Sequence, residues 1–259
     1  TYFGGLLTTC GPRHFGAPAD DEVEETSYGV HDRMNLLAAT DVAVKREWHG
    51  DDYVLSVSGR LTDARVFKPT ITVDRTIRTH MGASSFEICD VVTNASFEPA
   101  SFMILYHMNI GAPLLSADTR LIVKADSVEP RDDHAATDGQ KWGELEEPQA
   151  GYQEKCYLFE PAQDAHGKCR AAIVNPALDD GLALTITWDK AALPNMTEWK
   201  MMGKPEYVLG VEPCNTPILP RDELRERGLL PSLEPGETRE INLTVEVHEG
   251  REAVEALMA

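Results

Sequence analysis

The sequence is short of cations. Its 259 residues hold 24 lysines and arginines against 43 aspartates and glutamates, a formal net charge of −19. A surface that acidic repels phosphate backbones and anionic lipid headgroups. Nucleic acid and membranes are therefore not expected partners, and a neutral small molecule is the easier ligand. No apolar run approaches the ~20 residues of a membrane-spanning helix, and the N-terminus carries no signal-peptide pattern. Cysteine is sparse and scattered: Cys10, Cys89, Cys156, Cys169 and Cys214 show no CxxC spacing. That argues against a disulfide framework or a zinc ribbon and fits a reducing cytoplasm. Without a secretion signal, the N-x-[ST] matches at Asn94, Asn195 and Asn242 are read as chance. The sequence also lacks GxGxxG, GxxxxGK[ST], GxSxG and HExxH. Nucleotide binding, classical serine hydrolysis and the common zinc proteases lose their usual signatures.

Helical patterns are few. RDELRERG (Arg221 to Gly228), closed by a glycine, and the C-terminal REAVEALMA are the candidates. Period-two alternation and β-branched residues fill most of the rest. Strands are predicted in DYVLSVSGRL (Asp52 to Leu61), TITVDRTIRTH (Thr70 to His80) and SFEICDVVTNA (Ser85 to Ala95), where Phe86, Ile88 and Asp90 share a face. SFMILYHMN is more continuously apolar, as suits a strand buried on both faces. TRLIVKADSVEP, CRAAIVNP, GLALTITWDK, EYVLGVEP and REINLTVEVHEG follow, separated by turn chemistry such as GAP, NPALDDG and EPGE. Many strands at short spacing predict an all-β sandwich or barrel. One domain spanning residues 1–259 is expected. The polar, acidic stretch from Pro130 to Pro148 reads as a long surface loop. The chain opens on Thr1 within an apolar, strand-like run, so upstream residues are expected to be missing.

Three of the eight histidines stand out. His14 in CGPRHFGAP, His31 in YGVHDRMN and His107 in ILYHMNIGAP each have glycine nearby, which permits the close backbone approach that a site needs. A hydrogen-bonded histidine stabilising a turn is the ordinary reading of any one of them. His49, His134, His166 and His248 read as solvated, and His80 ends a strand. Glu212 ends an apolar strand between Gly210 and Pro213. Burial there would raise its pKa toward general-base work, and a strand-end ion pair with a lysine is the equal alternative. Trp199 could be core or could stack on a sugar ring. Lys200 could donate to hydroxyls or be solvated.

The blocks TYFGGLLTTCG, YGVHDRMN, ILYHMNIGAPLL, TEWKMMGKPEYVLGVEPCN and LEPGETR, in this order, resemble a branch of the aldose 1-epimerase (galactose mutarotase) superfamily, many of whose members are known only as a domain of unknown function. The resemblance runs from Thr1 nearly to Ala259. It implies a galactose-mutarotase-like β-supersandwich of two large, mostly antiparallel sheets with few short helices, and a sugar site on the concave sheet. It implies His107 as the acid that protonates the ring oxygen, Glu212 as the base on the anomeric hydroxyl, and His31 as a supporting histidine. His14, Arg33, Asn109, Trp199 and Lys200 are the further substrate-binding candidates. Asp32 stands where the branch has glycine, which adds a charge beside His31, and the sugar-binding arginine of classical mutarotases lies upstream of the matching region. The implied function is ring opening at the anomeric carbon of a free sugar or sugar derivative, with no cofactor, in the cytoplasm. Two alternatives stay open. One is a related isomerase, lyase or hydrolase, with a metal on His14, His31, His107 and Glu212. The other is a non-catalytic carbohydrate-binding module.

Overall fold

The computed structural model describes residues 4–258; the Thr1–Phe3 part of the strand-like opening lies outside them. In chain order the strands are β1 (Leu7–Cys10), β2 (Ala19–Asp21), β3 (Thr26–Tyr28), β4 (Thr40–His49), β5 (Asp52–Asp63), β6 (Ile71–His80), β7 (Ser85–Asn94), β8 (Ala100–Ser101) and β9 (Leu105–Ile110). They continue as β10 (Arg120–Val123), β11 (Ala125–Pro130), β12 (Lys155–Pro161), β13 (Lys168–Asn175), β14 (Leu182–Asp189), β15 (Asn195–Met202), β16 (Tyr207–Cys214), β17 (Ser232–Leu233) and β18 (Thr238–Glu249). The helices α1 (Asp133–Ala136), α2 (Arg221–Glu226) and α3 (Arg251–Met258) are short. Two large sheets result, one of order β1-β9-β16-β15-β12-β11 and one of order β10-β13-β14-β18-β7-β6-β5-β4. No described helix is long and apolar enough to cross a membrane.

The chain divides into two compact units. The first comprises Thr8–Tyr106 and Cys214–Leu243. Its frame is the antiparallel run β4 to β7. Along β7 the predicted alternation holds, with Ile88, Asp90, Val92 and Asn94 all buried. Asp90 is tolerated there because Arg75 grips both carboxylate oxygens, at 2.7 and 2.5 Å, and the Tyr106 hydroxyl donates to it at 2.6 Å. A buried charge so fully bonded avoids the penalty of an unpaired one. Cys10, Phe15, Met103, Leu105, Cys214 and Leu224 form the apolar core beneath α2. Arg221 of α2 is buried against Asp21 at 2.7 Å and Glu24 at 2.5 Å, over the Tyr28 ring.

The second unit comprises Gly4–Leu7, His107–Pro213 and the chain from Thr244 onward. The β13–β14 hairpin carries small apolar residues, Ala172, Val174 and Ala183, on which Val254 of α3 packs. Strands β12 and β15 pair so that Lys155 faces Lys200, Cys156 faces Trp199 and Tyr157 faces Glu198. Successive side chains alternate across a strand. Cys156 and Trp199 therefore share one face, and Lys155, Tyr157, Glu198 and Lys200 share the other.

The structure alters several expectations. The strand predicted from Ser101 onward begins at Leu105. The amides before it bond outside the ladder: Phe102 to the Pro231 carbonyl, Met103 to that of Pro12, and Ile104 to the Asn215 side chain. The stretch from Pro130 to Pro148 is not a plain surface loop. It contains α1, buries Ala135 and Leu145, and anchors three side chains through Asp138. Among the histidines read as solvated, His248 shares a 2.9 Å hydrogen bond with Thr185 and is only partly exposed.

Candidate active site

In the second unit, β9 delivers His107 and β16 delivers Glu212. Both are buried, at 4% and 2% exposure. The sequence supports this locally: Met108 and Ile110 in β9 and Leu209 and Val211 in β16 are all buried, so apolar neighbours fix both strands. His107 Nε2 and Glu212 Oε1 lie 3.0 Å apart. They do not meet in hydrogen-bond alignment, and Glu212 Oε1 accepts no hydrogen bond among the described residues. An acid and a base set 3.0 Å apart can serve neighbouring atoms of one molecule.

Gly210 makes this approach feasible. A Cβ there would lie 2.5 Å from Glu212 Oε1, 3.0 Å from His107 Cε1 and 3.1 Å from Trp199 Cβ. Trp199 closes one side, its ring near perpendicular to His107 at 5.6 Å between centroids. Its indole N–H donates to Glu154 at 2.7 Å, and Glu154 takes an ion pair from Arg131 at 3.1 Å. Arg131 also donates to the Cys156 sulfur at 3.0 Å and pairs with Asp132 at 2.9 Å. Burial pushes the Cys156 thiol up to about 12, and Arg131 offsets this only in part. Cys156 is thus a protonated, unreactive wall residue at neutral pH.

The other candidates are distributed as follows. Lys200 goes to the opposite face of β15 from Trp199. It is buried there at 1% exposure, and its ammonium pairs with Asp138 at 3.1 Å and Glu146 at 3.6 Å. Asn109 shares the His107 face of β9 but spends its amide on the Gly5 carbonyl at 2.8 Å, holding down the Gly4–Leu7 segment.

His14, His31 and Arg33 belong to the first unit. Their loops are bonded together: the Gly11 amide donates to the His31 carbonyl, and the His31 amide to that of Gly16. The nearby glycines that drew attention to these histidines form this crossing, and the Gly16 amide also donates to His31 Nδ1 at 3.2 Å. His14 is buried, with Nε2 2.6 Å from the Ala17 carbonyl, and desolvation lowers its pKa. His31 and Asp32 occupy the left-handed region, φ +57° and +53°. A glycine at position 32 would adopt that conformation without strain, and aspartate tolerates it better than most residues. The Asp32 carboxylate does not stand as a lone charge beside His31, since Arg65 pairs with it at 2.5 Å. Burial still raises its pKa, with Arg65 as a partial counterweight. Arg33 turns to Asp63 at 2.6 Å and to the Ala64 carbonyl at 2.7 Å. Burial alone would raise the Asp63 pKa, but Arg13 and Arg33 outweigh it and hold the carboxylate below its usual range.

Among the described residues no three His, Cys, Asp or Glu side chains gather in a metal-holding group. Arg131, Glu154 and Cys156 escaped the sequence reading. Arg131 sits in an acidic stretch that reads as surface, and only the β11–β12 pairing, which carries on to the Arg131 amide on the Cys156 carbonyl, reveals its neighbours.

A family model described as a domain of unknown function (DUF4432) matches residues 1–247. No curated protein matches the chain. A protein from Klebsiella pneumoniae, provisionally described as an aldose 1-epimerase, superposes with a TM-score of 0.92 at 26% identity. The match covers 98% of this chain and 66% of that one, so the chain spans just under two thirds of its length. A galactose mutarotase-like protein from Clostridium acetobutylicum matches with a TM-score of 0.65 at 13% identity, covering 94% of this chain and 79% of that one. A further protein provisionally described as an aldose 1-epimerase, from Escherichia coli K12, matches at 0.57 and 16%, covering 94% and 84%. The sheets described above are those of the galactose-mutarotase-like β-sandwich.

Proposed function

The chain belongs to the DUF4432 family, and from that premise we propose that it opens and recloses the ring of a free sugar, interconverting its anomers. The observation that carries this reading is the buried His107–Glu212 pair, with 3.0 Å between Nε2 and Oε1. The anomeric carbon bears both reacting oxygens, the ring oxygen and the hydroxyl. An acid and a base serving that one carbon must therefore be near neighbours. Glu212, as carboxylate, takes the proton of the anomeric hydroxyl while protonated His107 gives a proton to the ring oxygen. The C1–O5 bond breaks, with its electron pair going to O5, and the hydroxyl electrons form the aldehyde. Rotation about C1–C2 presents the other carbonyl face. On closure, His107 takes back its proton from the O5 hydroxyl and Glu212 returns its own to the new anomeric oxygen. No electrons are exchanged with the protein, and no cofactor enters the step. The shared fold with proteins described as aldose 1-epimerases and mutarotase-like supports the same chemistry.

The test is anomer relaxation, followed by polarimetry or NMR across a panel of aldoses. Glu212→Gln is nearly isosteric and should fold normally beside Pro213. It cannot accept a proton near neutrality, so kcat should fall by about 10² or more. Wild-type-like relaxation by the variant on a sugar that the parent accelerates would refute the role of Glu212. A parent that accelerates none of the panel would refute anomer interconversion.

A further inference from the structure

Beside the buried pair, three polar groups form a fixed array. Glu154 accepts the Trp199 indole N–H on Oε2, at 2.7 Å, and the Arg131 Nη1 donor on Oε1, at 3.1 Å. Arg131 is further fixed by Asp132 through Nε and by the Cys156 sulfur through Nη1. Its Nη2 has no partner among the described residues. The array is accessible, with the Arg131 and Glu154 side chains 35% and 46% exposed, whereas His107 and Glu212 are almost closed off. Trp199 links the two, since its ring abuts His107 and its N–H is bound by Glu154.

The chemistry of this array is selective. A sugar hydroxyl both donates and accepts, so it can take a hydrogen bond from Arg131 Nη2 and give one to a remaining lone pair of Glu154. Such adjoining donor and acceptor groups suit a vicinal diol, and the indole offers apolar surface to the C–H side of the ring. The charge sum counts as well. One guanidinium stands against two carboxylates, Asp132 and Glu154, so the array is net negative although it contains an arginine. A uronate or a sugar phosphate would meet that charge at short range, where repulsion is strong. A neutral polyol would not.

We propose that Arg131 and Glu154, set by Trp199, determine specificity at this site: they bind the vicinal hydroxyls of an uncharged sugar and reject its anionic counterparts. This rests on the reading of His107 and Glu212 as the reacting pair, but its effect falls on binding and can be measured without turnover. Kd for a neutral hexose and for the corresponding uronate is measured by intrinsic tryptophan fluorescence and confirmed by saturation-transfer NMR. The proteins are the wild type, Glu212→Gln, Arg131→Gln and Glu154→Gln, with circular dichroism as the folding check. The wild type should bind the uronate more weakly than the hexose, and Glu212→Gln should keep that order. Arg131→Gln should weaken hexose binding by about tenfold, and where turnover is measurable it should raise KM with little change in kcat. Glu154→Gln keeps an acceptor for Trp199 but removes one negative charge, so it should improve uronate binding relative to hexose by about tenfold. Hexose Kd unchanged in Arg131→Gln, a uronate/hexose ratio unchanged in Glu154→Gln, a wild type that prefers the uronate, or no binding of either sugar would each overturn the proposal. Sugar binding that responds as stated, without anomer relaxation in the wild type, would instead sink only the catalytic reading.

Discussion

The smallest side chain in the site constrains it most. Gly210 lies on the same face of β16 as Glu212, and an added methyl would meet the carboxylate, the imidazole and the Trp199 Cβ at once, all at 3.1 Å or less. The 2.5 Å contact with the carboxylate is closer than packed atoms tolerate and the other two are tight, so something must move. The carboxylate is the nearest group and rotates most easily, which would take Oε1 away from its position 3.0 Å from His107 Nε2. Gly210→Ala should therefore stay folded, with a stability loss of about 1–3 kcal/mol, but lose at least about tenfold in kcat as the pair is misplaced. KM should change less, because Arg131 and Glu154 hold none of the three atoms nearest the added methyl. Steady-state kinetics of anomer relaxation, with a thermal melt alongside, separate the two effects. Unchanged kcat in a protein of lowered melting temperature would show that Gly210 serves packing alone.

At the scale of the strand, β15 separates two chemistries by its pleat. Trp199 faces the candidate site, and Glu198 and Lys200 face the interior on the other side. Glu198 is fully buried, and neither carboxyl oxygen finds a hydrogen bond among the described residues. Burial raises its pKa well above the usual value, with Lys200 opposing and Asp138 adding to the rise. The folded state thus keeps this proton to higher pH than the unfolded state does. Stability from the proton is complete below the ordinary carboxylate pKa, 4.5, and is lost as pH rises from there through the folded value. Glu198→Gln has no such proton. Its stability relative to the wild type should increase from about pH 5 upward, by up to about 1.4 kcal/mol per pH unit. Urea midpoints of both proteins at pH 5 and pH 8 measure this, and parallel pH dependence would refute it. The same strand shows what could be read in advance. The alternation in β5, β6, β7, β14 and β18 is visible because one face is apolar and the other polar. β4 has almost no buried residue, β12 is buried nearly throughout, and β15 interrupts its apolar positions with Glu198 and Lys200, so none of the three shows the period-two signature. His107 and Glu212 were legible as titratable residues in apolar runs, but they do not end their strands: β9 continues to Ile110 and β16 to Cys214. Arg131 and Glu154 were not, because their proximity depends on how β11 pairs with β12, and their nearness to Trp199 on how β12 pairs with β15.

For the molecule as a whole, the charge balance sets the environment of all these local pairs. With 24 cations and 43 acids, at least nineteen carboxylates have no cation to match them, and the many arginine pairs on the surface leave that excess in place. Self-repulsion of this kind favours expansion and is screened over about 10 Å at 0.1 M salt. Screening also weakens exposed ion pairs such as Arg60–Asp74 and Arg78–Glu87, but each of those contributes only about 0–1 kcal/mol. Repulsion summed over the whole surface should dominate. The melting temperature at pH 7.5 should therefore rise by a few degrees between about 10 and 150 mM NaCl, since each ~1 kcal/mol corresponds to about 2–4 °C at this size. The rise should shrink or reverse near pH 5, close to the isoelectric point of about 4.7, where protonation has removed the excess charge. Differential scanning calorimetry at both pH values and both salt concentrations decides the matter. A melting temperature that falls with salt at pH 7.5 would mean that the ion pairs, and not the unmatched carboxylates, govern the electrostatics of the fold.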